Sequence, residues 1–130
     1  MNNNIIKKLS DEDLVGQVLC YDIYDRDIPE EVESILKQIR PGAIYLSGMT
    51  YEKIKMYTKM ANKYTKLPVI VVTDVEFGPG ENFPGLPVLP NVMAWSACDD
   101  PDLVEYAAEL CAKICRLHGH AMDSFTGCGH

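Results

Sequence analysis

Two carboxylates two residues apart, Asp74 and Glu76, are the side chains of this chain best placed for chemistry. They close the segment Leu67–Gly78, in which the apolar run Val69–Val72 reads as a strand buried on both faces, as in a parallel sheet. A loop rich in Gly and Pro follows. Delivery of acids into such a loop from the C-terminal end of a buried strand is how α/β enzymes build their sites. A carboxylate held there can accept hydrogen bonds from two neighbouring hydroxyls, which suits a sugar. The competing reading is a strand end with solvated acids.

The elements that must position these acids alternate along the chain. Ser10 and Asp13 form a capping box that opens a short helix to about Gly16, and Gln17–Ile23 can be a first strand. Pro29 suits the first turn of a helix through Arg40, with Val32, Ile35, Leu36 and Ile39 on one face. Pro41-Gly42 stops it, and Ala43–Ser47 is a second strand. Thr50 caps a helix carrying Ile54, Tyr57, Met60, Ala61 and Tyr64 along one side, before the strand at 69–73. After a long loop, Asp100-Pro101 opens a last helix with a buried stripe of Leu103, Ala107, Leu110, Ile114 and Leu117. Strands recurring at this pace predict an α/β fold with a parallel sheet and right-handed crossovers. A closed (β/α)8 barrel needs roughly 250 residues, and this chain has 130. The expectation is either a small open sheet or part of something larger.

Composition narrows the partners. The net charge is −7, and the 12 Lys and Arg residues are scattered, which disfavours nucleic acid and anionic membranes. No stretch has the length and apolarity of a signal peptide or a membrane span. Five cysteines without framework spacing fit reduced thiols in the cytoplasm.

Several segments, in order, resemble the N-terminal domain of glycoside hydrolase family 3, the (β/α)8 barrel of bacterial β-N-acetylhexosaminidases and β-glucosidases. Leu9–Gln17 is similar to the family's "LSLEEKIGQ", Pro41–Leu46 to "GVGGIILF", and Leu67–Gly78 to "IPLLIAVDQEGG". Leu86–Ala94 is similar to "FTPLPSAMALGA", and Asp99–Leu103 to "TGDPELA". The resemblance implies a partial (β/α)8 TIM barrel, roughly the first three βα units with parallel strands, over residues 1–118. It implies that Asp74 hydrogen-bonds hydroxyls of the sugar in the −1 subsite, and that Glu76 supports the loop. Val75 and Phe77 depart from the family pattern at this point, and Asn82 and Phe83 lie where the family's loop borders the sugar.

The implied activity is retaining hydrolysis of terminal β-linked glucose or N-acetylglucosamine, without a cofactor. Retention needs a nucleophile and an acid/base partner, commonly with carboxyl groups about 5–5.5 Å apart. The family supplies both from later segments, and nothing here matches "KHFPGHG" or the nucleophile motif. The chain is therefore expected to carry part of a sugar site and no catalytic residue, to be inactive alone, and to need the remainder of the barrel as its partner.

Residues 119–130, Gly119-His120-Ala121-Met122-Asp123-Ser124-Phe125-Thr126-Gly127-Cys128-Gly129-His130, stand where the family's fourth strand, "GINWTFAPVVDI", is expected, and they have no strand pattern. With a suitable choice of codons, deleting one G here yields Gly-Met-Gln-Trp-Thr-Pro-Ser-Pro-Val-Val-Asp. A one-base insertion near codon 119 is the expectation, and sequencing of the locus tests it. The tail also suggests a rival, a small non-enzymatic zinc module. Cys111, Cys115 and His118 share one helical face, and His120, Cys128 and His130 follow. Against it, Cys111 and Cys115 sit close to the apolar stripe, where free cysteine behaves as a small hydrophobe. Trp95 and Phe83 can stack on a sugar ring or simply pack. The acids Asp22, Asp25, Asp27, Glu30 and Glu31 read as a solvated loop and a helix N-terminus.

Overall fold

The computed structural model describes residues 3–119 and 122–123. Its elements run α1 (Asn3–Ile6), α2 (Asp11–Gln17), β1 (Cys20–Tyr24), α3 (Pro29–Ile39), β2 (Ala43–Ser47), α4 (Tyr51–Asn62), β3 (Ile70–Thr73), a 3-10 turn (Pro79–Glu81), α5 (Val92–Ala97), α6 (Pro101–Leu117) and β4 (Met122–Asp123). The strands form one sheet in the order β1-β2-β3-β4, and every pair is parallel. β4 is a two-residue strand that pairs with Val72 and Thr73, inside the tail whose sequence shows no strand pattern. The other tail residues, with His120, Cys128 and His130, lie outside the described residues.

A strand order that advances without reversing has a direct consequence. With crossovers of one hand, every helix is laid on the same side of the sheet. The observed packing agrees. Ile23, Ile44, Leu46 and Val71 from the strands join Val32 and Leu36 of α3, Ile54, Tyr57 and Ala61 of α4, and Cys111 and Cys115 of α6 in one core. The opposite side carries Asp22, Tyr45 and Val72 in one register layer. Tyr24 pairs with Ser47 in the next. This one-sided sheet is the architecture of a partial barrel, with its inner face uncovered.

Local chemistry explains the boundaries. The capping box at α2 is complete, since Ser10 N donates to Asp13 and Asp13 N donates to the Ser10 hydroxyl. α2 runs through Gln17, so β1 begins at Cys20 rather than Gln17. α2 is clamped against the turn after α3. Asp13, 3% exposed, meets Arg40 at 2.8 Å and Lys66 at 2.7 Å. Gly42 N donates to the Gly16 carbonyl at 2.8 Å. A Cβ on Gly16 would sit 2.3 Å from the Arg40 carbonyl oxygen, so only glycine permits this approach.

Two expectations are corrected. β3 is not buried on both faces along its length: Val71, Val72 and Thr73 are buried, but Ile70, at the strand's N-terminal end, is 45% exposed. The stripe expected on α6 is not the buried one either. Leu103, Leu110 and Leu117 are exposed, and the helix buries Cys111 and Cys115, with Val104, Ala107 and Ile114 half-buried. The apolar residues of α6 are wider than the single contact it makes, so one flank faces the core and the other faces outward. The long loop before α6 also contains α5, a single short helix capped by Asn91, whose Oδ1 accepts from Ala94 N at 2.9 Å.

Candidate sugar-binding face

Strand alternation decides where each acid goes. Val71 and Thr73 point into the core, so Val72 and, two residues on, Asp74 belong to the inner face. Val75 returns to the helix side and is 1% exposed. Asp74 therefore stands at the C-terminal end of β3, on the side that carries Asp22, Tyr24, Tyr45 and Ser47. Its Oδ1 is buried and has no hydrogen-bonding partner among the described residues. A buried carboxylate oxygen without a donor is costly and rare in folded proteins.

The backbone beneath that carboxylate is fixed from the neighbouring strand. Asn82 is 3% exposed. Its Nδ2 donates to the Asp74 carbonyl, and its Oδ1 accepts from the Ser47 hydroxyl. Ser47 in turn hydrogen-bonds with Tyr45, two residues back on the same face of β2. Burial pushes the Tyr45 phenol up, and the charges of Asp74, Glu81 and Asp22 push the same way against the lowering bond with Ser47. The phenol thus stays protonated at neutral pH, able to donate on a face lined with acids.

Glu76 is half-buried and lines a cleft on the helix side of the loop, away from Asp74. Glu81 clasps the loop, since its Oε2 accepts from Phe77 N at 3.0 Å. Phe77 O accepts from Leu89 N at 2.7 Å, and Gly80 N donates to Pro87 O at 3.0 Å, so the loop is laced to itself. Gly78 has φ +73 and presses on Leu89, where an added Cβ would lie 2.5 Å from the side chain. The cleft has a volume of about 300 Å³, with walls from Val75, Leu89, Val92, Trp95, Val104 and Ala107.

Phe83 is 2% exposed and stacks on His118 with ring centroids 4.5 Å apart, so it belongs to packing rather than to a sugar face. Of the rival metal set, Cys111, Cys115 and His118 are among the described residues. Cys111 and Cys115 are each 3% exposed within the core, and His118 Nδ1 lies 2.9 Å from the Ile114 carbonyl oxygen. Among the described residues no three His, Cys, Asp or Glu side chains are grouped to hold a metal ion. Nor is any helix among them long and apolar enough to cross a membrane.

Ser47, Tyr45 and Asn82 were not singled out as site residues by the sequence. Period-two alternation along β2 places Tyr45 and Ser47 together and could have found them. Asn82 had no such signal, since its role depends on a loop closing over β2.

The fold has a solved counterpart. A beta-glucoside phosphorylase, BglX, bound to 2FGlc, superposes with a TM-score of 0.78 over 93% of this chain at 24% sequence identity. The chain spans 22% of that protein's length. At this identity the likeness concerns the fold. No family model matches the chain, and no curated protein sequence does.

Proposed function

We propose that this chain is the front portion of a (β/α)8 barrel that acts on β-glycosides, with Asp74 accepting hydrogen bonds from hydroxyls of the sugar. The observation that carries the reading is the buried, unpartnered Asp74 Oδ1 at the C-terminal end of β3, on the uncovered side of the sheet. Barrel enzymes place substrates at that end of their strands. The superposition on a beta-glucoside phosphorylase supports the same reading. Asn82 and Ser47 hold the Asp74 backbone, and Tyr45 supplies a neutral donor one layer below. No residue of this chain is assigned as nucleophile or acid/base, and residues 1–118 constitute the barrel portion. Glycosyl transfer to water or to phosphate would be the work of a longer protein, in which the rest of the barrel supplies those groups.

Amide chemical-shift titration with methyl β-glucoside and with N-acetylglucosamine tests the binding role. Saturable shifts around Asp74, Ser47 and Asn82 are expected, weakened about tenfold or more in Asp74→Asn, as for loss of a charged hydrogen-bond acceptor. Equal affinity in that variant overturns the assignment. Aryl β-glycosides, with or without phosphate, should show no turnover by the chain alone, and measurable turnover would refute the division of labour.

A further inference from the structure

We infer that the cleft between the β3 loop, α5 and α6 is a second ligand site, built for a neutral aromatic ring that carries one hydroxyl. Three observations converge on it. The first is size: about 300 Å³ of space bounded mainly by Val75, Leu89, Val92, Trp95, Val104 and Ala107. An enclosed apolar cavity of about 150 Å³ already admits benzene. This one has room for a substituted ring.

The second is preorganisation. The Trp95 indole, part of the lining, is pinned by its Nε1–H, which donates to the Pro90 carbonyl at 2.7 Å. Leu89, also in the lining, is fixed by its close approach to Gly78 and by the Leu89 N to Phe77 O bond at 2.7 Å. The third is polarity. Glu76 and Ser96 also line the cleft; the Ser96 hydroxyl donates to the Val92 carbonyl at 3.2 Å, which leaves its oxygen to accept from a single hydroxyl. A carboxylate there, in a chain of net charge −7, disfavours an anionic ligand.

The cleft is separate from the sugar face. Val75 turns to the helix side while Asp74 belongs to the inner side, so the two ligands approach the loop from opposite directions and do not compete.

Trp95 is the sole tryptophan, so its emission reports on the cleft directly. Titration with 4-fluorophenol, followed by Trp95 emission and by fluorine NMR of the ligand, should saturate and should be unaffected by excess glucose. Ala107→Leu fills the space and is expected to weaken binding about tenfold. Linear, unsaturable responses, or unchanged affinity in a folded Ala107→Leu protein, overturn the site and leave a packing void only. Should that variant not fold, intermolecular NOEs between 4-fluorophenol and the Trp95 indole protons of the unmodified chain decide: their absence overturns the site equally.

Discussion

Asn82 Nδ2 donates to the Asp74 carbonyl while its Oδ1 accepts from Ser47, so one buried amide ties the end of β2 to the end of β3. Truncation leaves two polar partners unsatisfied in a place water reaches poorly. Asn82→Ala should therefore lower stability by about 1–3 kcal/mol in urea unfolding, the range for orphaned buried partners. It should also weaken methyl β-glucoside binding, although Asn82 touches only the backbone carbonyl of Asp74. Asn82→Asp retains the acceptor toward Ser47 and loses the donor toward Asp74, so it should recover only part of the stability. A stability loss with unchanged sugar affinity would mean that Asn82 braces the loop without orienting Asp74. The position of Asp74 at the end of β3 was legible in the sequence, because a strand that ends in an acid before glycines is a local pattern. Asn82 was not, because eight residues of loop must fold back before its partners come within reach.

Between elements, the clamp of α2 on the α3–β2 turn has both a charged and a steric part. Hydrogen bonds from Lys66 first, then Arg40 and the Ser10 backbone, hold the Asp13 carboxyl well below the usual carboxylate range. Its folded pKa is depressed, so its contribution is present above the unfolded value of about 3.9 and is lost as pH falls toward the folded one. Acid unfolding monitored by circular dichroism should begin below that unfolded value. In Asp13→Asn the acid-sensitive part of the stability curve should be smaller. Gly16→Ala tests the steric part. Its new Cβ meets backbone oxygens of Ile39 and Arg40 at 2.5 and 2.3 Å, which no rotamer relieves. A loss of about 1–3 kcal/mol in chemical denaturation is the expected cost of overpacking. The elements themselves were readable where caps and periodicity were local: the Ser10 box, Pro29, Thr50 and Asp100 all mark observed helix starts. The burial of α6 was misjudged because an apolar stripe says how much of a helix can be covered, whereas the neighbouring elements decide how much is. α5 escaped notice because six residues carry too little periodicity to declare a helix.

For the molecule as a whole, the outward flank of α6 presents Leu103, Tyr106, Leu110 and Leu117 at 45, 65, 42 and 78% exposure, while Val15 of α2 and Val18 just after it are 62 and 82% exposed. Such surface favours self-association. Leu110→Lys with Leu117→Lys should raise solubility and reduce binding of a hydrophobic dye, with a stability change within roughly 0.5 kcal/mol per site, as for surface positions. Unfolding of the double variant would place that flank in the core instead. The sheet's order, β1-β2-β3-β4, has a last consequence in time rather than in space. Among β1, β2 and β3 each strand pairs with its neighbour in chain order, so these pairings wait for no distant segment to return. Loop-closure entropy is then met in small instalments. A nascent chain leaving a ribosome can dock each strand–helix unit on the one before, and β1 with β2 should acquire protection from amide exchange while β3 is still being synthesised.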